Sequence, residues 1–129
     1  MIRICTLSLL ALCLLAVPAA ALADDAGLAA KLVGKWEGQW EFGDVKGNLT
    51  VKITAAKDAA VDGEMTWFGT AAGDVTEHFK VGKVKGRQLK VSGDAMNFVA
   101  TVSEDEKSMD GKWTNDFGVS GPLKVKKAE

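Results

Sequence analysis

Gly34-Lys35-Trp36-Glu37-Gly38-Gln39-Trp40-Glu41-Phe42 alternates without a break: Trp36, Gly38, Trp40 and Phe42 fall on one side, and Lys35, Glu37, Gln39 and Glu41 on the other. Successive side chains of an extended chain point to opposite faces, so this stretch is a strand with one face in a core and one in water. Gly43-Asp44-Val45-Lys46-Gly47 is turn chemistry. The next strand sets Leu49, Val51 and Ile53 against Asn48, Thr50, Lys52 and Thr54. The recipe then recurs at intervals of about 10 to 14 residues, the spacing of short strands joined by tight turns.

Asp62-Gly63 leads into a strand with Met65 and Trp67 inward, and residues 70–74 form a polar loop. Residues 75–84 read as one long strand with Val75, Glu77, Phe79 and Val81 inward and a bulge at Gly82, where the phase slips to Val84. Lys85-Gly86-Arg87 turns into a strand carrying Leu89 and Val91, and Gly93-Asp94 into one carrying Met96, Phe98, Ala100 and Val102. After a charged tip at 103–108 come Met109, Gly111 and Trp113, then a turn from Asn115 to Gly118, and a last strand marked by Leu123 and Val125.

These segments predict an all-β chain of eight antiparallel strands in up-and-down order, because every connection is too short for a crossover. A barrel or a two-sheet sandwich would bury the apolar face. Closure is preferred because it removes the exposed edges of an open meander. Inward glycines at 38, 63, 69 and 111 suit the corners of strongly coiled strands.

Upstream the period is different. Residues 24–33 place two acids before a run of Ala, Leu and Lys, a short N-terminal helical segment ahead of the single barrel domain at 34–127. Residues 1–23 carry one cation (Arg3), an apolar run from Leu7 to Val17, and Ala21-Leu22-Ala23, the pattern of a secretory signal peptide. The expected location is secreted or periplasmic, with no membrane span after signal removal. Both cysteines, Cys5 and Cys13, leave with that segment, which excludes disulfides and thiol chemistry from the mature chain. Losing Arg3 moves the net charge from −1 to −2, so no general attraction to nucleic acid is expected.

Gly34-Lys35-Trp36, following a helical stretch and opening the first strand, resembles the calycin superfamily of lipocalins, avidins and small periplasmic protease inhibitors. The resemblance implies an eight-stranded barrel whose base is plugged by a turn of helix. It also implies that Trp36 closes that base beneath a basic residue near the last strand, here Lys124 or Lys126. Gly111-Lys112-Trp113-Thr114-Asn115 is similar to the first-strand segment of avidin-type biotin binders, which implies a ligand-contacting role for Asn115, although the segment lies on the seventh strand and the chain has no tyrosine.

The four tryptophans all fall on inward faces. An eight-stranded barrel is wide enough to be filled by side chains or to hold one small ligand, so a packed core and an aromatic-lined pocket are both open. Trp40, Trp67 and Trp113 are the candidate ligand-binding residues, Trp36 being assigned to the closed end. Glu77 lies in phase with Phe79, and a carboxylate on an apolar face needs a partner or a pocket mouth. It joins Asn115 as a candidate polar contact.

No catalytic or phosphate-binding motif is present, so the chain is not expected to be an enzyme or to carry a cofactor. His78 is the lone histidine and points outward; without a second soft ligand it predicts no metal site. The expected function is an exported binding module for a small apolar or amphipathic ligand. The alternative is a protein-interaction or protease-inhibitor-like barrel with a filled core. A protein partner would engage residues 24–32 or the basic hairpin of Lys80, Lys83, Lys85, Arg87 and Lys90.

Overall fold

The computed structural model describes residues 24–128. The expected signal peptide lies outside the described residues. A helix α1 (24–31) precedes β1 (Gly34–Phe42), β2 (Val45–Lys57), β3 (Ala60–Thr70), β4 (Gly73–His78), β5 (Val81–Lys85), β6 (Gln88–Ser92), β7 (Met96–Val102), β8 (Ser108–Asn115) and β9 (Ser120–Lys127). Apart from β4 and β5, which both pair with β3, each strand pairs antiparallel with the next, and β9 returns to β1 through Trp36↔Lys127 to Trp40↔Leu123. β4 and β5 follow one another along β3 and together make the fourth wall, so the sheet is a closed eight-stranded barrel. The α1 helix is slightly shorter than the expected 24–33 segment. No helix among the described residues is long and apolar enough to cross a membrane.

Strand alternation holds at nearly every expected inward position: Leu49, Val51, Ile53, Met65, Trp67, Leu89, Val91, Phe98, Ala100, Met109, Leu123 and Val125 are all buried. Burying each of the Val, Leu, Ile, Met and Phe side chains among them contributes about 1.5–3 kcal/mol. The fourth wall departs from expectation. The register pairing Glu64 with His78 would set Ala60 opposite Gly82, yet Ala60 stands opposite Lys83. One extra residue is therefore inserted between Phe79 and Gly82, and Lys80 and Val81 both face outward. The bulge lies just before Gly82, and Val81 is 59 % exposed instead of inward. Phe79 closes the upper half against Gly63, and Gly82 resumes the inward face against Val61.

The glycines explain how the strands pass so closely. A Cβ on Gly38 would lie 1.8 Å from the Lys124 carbonyl oxygen, one on Gly63 2.0 Å from that of Lys52, and one on Gly111 1.9 Å from that of Val99. These three serve as the expected corners. Gly69 has open space around its Cβ position and a φ of +73, so it is a turn residue at the β3 end and not a corner.

One end of the barrel is sealed. Leu28, Ala29 and Leu32 are buried beneath Trp36, whose indole N–H donates to the Leu32 carbonyl at 2.9 Å. Lys127 Nζ donates to the Lys31 carbonyl at 2.7 Å and sits 5.7 Å from the Trp36 ring centroid. A lysine thus satisfies a carbonyl at the helix end and covers the tryptophan at once. The residue is neither Lys124 nor Lys126, because cross-strand register sets Lys127 directly opposite Trp36.

Candidate functional site: an aromatic-floored bowl at the open end

The opposite end is left open by four short connections: Gly43-Asp44, Ala71-Ala72, the turn at 93–95 and the turn at 116–119. Between them lies a hollow of about 490 Å³ lined mainly by carbon. Trp40, Trp67, Trp113, Glu77 and Asn115 all line it, so the structure brings the five sequence-derived candidates together.

The tryptophans form its floor. Trp40 and Trp113 meet edge to face at 6.1 Å and 86°, and Trp67 and Trp113 at 6.2 Å and 65°. This spacing is the favoured T-shaped arrangement and leaves no gap between the rings. The space lies above the indoles, and below them Met65, Leu49 and Phe98 pack the barrel solid. The described interior is therefore filled in its middle and hollow at the mouth.

Small residues behind the floor hold the rings in place. A Cβ on Gly47 would lie 2.4 Å from the Trp40 indole, and one on Gly121 3.0 Å from Trp113 Nε1. The Trp40 N–H donates to Phe68 O and the Trp113 N–H to Glu41 O, each at 2.9 Å. Trp67 differs: it is fully buried, and its N–H has no acceptor among the described residues. A buried donor left unpaired is costly, which makes it an unfinished position in the floor.

Glu77 sits in the wall at 6 % exposure. Its carboxylate accepts from Ala95 N at 3.2 and 3.1 Å and from Met96 N at 3.0 Å. β4 has no strand neighbour on this side, so the carboxylate substitutes for a ladder and ties β4 to the turn entering β7. Gly93 makes room for it, since a Cβ there would stand 2.4 Å from Glu77 Oε1. Asn115 uses its side-chain oxygen locally, accepting from Phe117 N and Val119 N at 3.0 Å each. That fixes the turn carrying Phe117.

The rim is apolar and exposed. Phe42 packs edge-on to Trp113 at 6.2 Å while half its surface meets solvent, Val45 is similarly placed, and Phe117 is 89 % exposed. Sequence reasoning missed these rim residues and the contributions of Ala95, Met96 and Val119. Phe42 was legible as the last inward residue of its strand. Phe117 carried no periodic signal, because it lies in a turn.

A larger hollow of about 1020 Å³ opens at the sealed end between α1 and the β5–β6 hairpin. It is a groove of mixed charge, with Lys31 reaching Glu106 at 3.4 Å and buried Asp25 accepting from Gly86 N at 2.9 Å. No aromatic ring among the described residues lines it. For all its size, it offers less apolar recognition than the bowl. The α1 segment, considered from sequence as an arm for a protein partner, is docked here through Leu28, Ala29 and Leu32. His78 is outward, with Nδ1 4.0 Å from Glu64 Oε2, and no cluster of three His, Cys, Asp or Glu groups suited to a metal occurs among the described residues.

No protein-family model matches this sequence, and no curated protein matches it.

Proposed function

We propose that this chain is an exported binding module of calycin-like architecture that holds a small apolar or amphipathic ligand in the bowl at its open end. The observation that carries the reading is the combination of a rigid tryptophan floor with an exposed apolar rim around about 490 Å³ of space. That volume falls in the range of small-molecule sites, which are mostly apolar with a few placed polar groups. The calycin likeness draws support from Trp36, which opens β1, plugs the base above α1 and lies beneath a lysine of the last strand.

Native mass spectrometry of the mature protein from its own host, before and after unfolding, tests the reading. The expected result is a mass excess released on denaturation, with a tryptophan emission shift when the emptied protein is titrated with 1-octanol. A bare mass together with unchanged emission across a series of alcohols and aromatics would overturn it.

One observation favours a second reading, a protein-interaction barrel: the middle of the barrel is filled, so Phe42, Val45 and Phe117 would serve as a contact surface for an apolar partner segment. In that case the mass is bare, and Phe117→Ser abolishes partner capture without altering any small-molecule titration.

A further inference from the structure

The charges around the bowl are one-sided. Glu41, Asp44, Asp74, Asp94 and Asp116 lie on or beside its four connections. Lys46 and Lys80 are the neighbouring cations, already engaged with Glu41 at 3.2 Å and Asp94 at 2.9 Å. Asp44, Asp74 and Asp116 have no cation within ion-pair distance among the described residues.

Glu77 adds a separate and stronger argument. Among the described residues it is the one ionisable side chain lining the bowl, it is buried, and no cation stands within ion-pair distance of it. Two backbone N–H groups hold the carboxylate but bring no opposite charge, and Oε2 accepts from Ala95 N alone. A buried charge without a counter-charge is expensive, and a cation entering the same low-dielectric space recovers part of that cost. The tryptophan floor acts in the same direction, because ring faces attract cations, most strongly when water is excluded. An anionic head group would meet the like charge of Glu77, and among the described residues no lysine or arginine lines the hollow to offset it.

We infer that the ligand of the bowl is cationic: an ammonium carried on an apolar body, its charge beside Glu77 and its hydrocarbon over Trp40, Trp67 and Trp113. This deepens the binding reading above and rests on it. The carboxylate thereby acquires two tasks, tying β4 to the β7 entry and selecting the sign of the ligand.

The test compares three eight-carbon probes below their micelle concentrations by tryptophan emission and calorimetry: octyltrimethylammonium, 1-octanol and octyl sulfonate. Expected is at least tenfold tighter binding of the ammonium than of octanol, about 1.4 kcal/mol, with the sulfonate weakest. Glu77→Gln keeps an oxygen for Ala95 and Met96, and is expected to erase most of the preference for ammonium over octanol, read as the ratio of the two affinities within the same variant. Asp116→Asn, at an exposed turn position, guards against a folding artefact: it should weaken only the ammonium, by a factor that shrinks with added salt. Equal affinity for ammonium and octanol, a preference for sulfonate, or a Glu77→Gln variant that keeps the full ammonium preference overturns the inference and leaves the bowl standing as a binding site. Failure of all three probes overturns the binding reading with it.

Discussion

Replacing Gly38 by alanine should open the seam that closes the barrel. The added Cβ would stand 1.8 Å from Lys124 O and 2.6 Å from the Val125 Cα, both backbone atoms that no rotamer change can move. Relieving the overlap to an ordinary carbon–oxygen contact of about 3.3 Å requires β1 and β9 to part by about 1.5 Å. Ladder bonds lengthened that far are lost, beginning at the Gly38↔Val125 pair. One or two backbone bonds at about 0.5–1.5 kcal/mol each, added to overpacking strain of about 1–3 kcal/mol, give a loss of about 1.5–6 kcal/mol. That is a large share of the 5–15 kcal/mol or so available to a domain. With a urea slope of about 2 kcal/mol per molar, the midpoint should fall by roughly 1–3 M. The assay is urea unfolding followed by far-ultraviolet circular dichroism, with Gly27→Ala as the opposite control. Gly27 lies inside α1 with nothing within 4 Å of its Cβ position, so alanine there should stabilise by about 0.5–1 kcal/mol. A Gly38→Ala midpoint within error of the parent protein would refute the close approach of β1 and β9 on which the closed barrel depends.

Three further outcomes follow from the same geometry. Glu77→Ala should cost about 2–5 kcal/mol in the same urea assay, because the N–H groups of Ala95 and Met96 lose their acceptor, whereas Glu77→Gln should cost less than half as much. Phe117→Ser should leave stability within about 0.5 kcal/mol, since the ring is already in water, yet weaken octanol binding by roughly 5–30-fold as about 1–2 kcal/mol of rim contact is lost. Asp105 is held below its ordinary value of 3.8 by the Ser103 hydroxyl first and the Lys107 backbone N–H second. A lowered carboxyl contributes stability that is present above 3.8 and disappears as pH falls through its folded-state value. Comparing Asp105→Asn with the parent from pH 6 down to about pH 2 should therefore show a stability difference at the upper end that vanishes at the lower one.

Much of this was readable before any coordinates, and the reason is periodicity. Trp36, Trp40, Trp67 and Trp113 each fell in phase with a strand whose other face was polar, so their inward direction followed from a two-residue repeat. The gathering of three of them at one end followed less directly, from where each stood along its strand. What stayed hidden depended on relations between distant segments. Val81 continues the inward phase of Glu77 and Phe79, and only the register between β3 and β5 reveals the inserted residue that turns it outward. The partners of Glu77 are backbone groups 18 and 19 positions away, which no side-chain pattern announces. Lys127 won its place over Trp36 through register with β1, one residue past Lys126. Whether the aromatic interior was a cavity or a plug turned on ring tilt, and Gly47 and Gly121 set that tilt from neighbouring strands.

The half-closed fourth wall has a consequence for how the molecule breathes. Phe79 N bonds to Gly63 O, so by strand alternation Val75 and Glu77 also turn their backbone groups toward β3. Asp74, Thr76 and His78 turn theirs the other way, where no strand pairs with them. Amide hydrogens along β4 should therefore exchange with solvent in alternation, every second one slow and the next fast, while β7 and β8, paired on both sides, are slow throughout. Protection that flickers residue by residue along one strand would be the signature of a barrel wall held at β4 by the Glu77 carboxylate in place of a ladder.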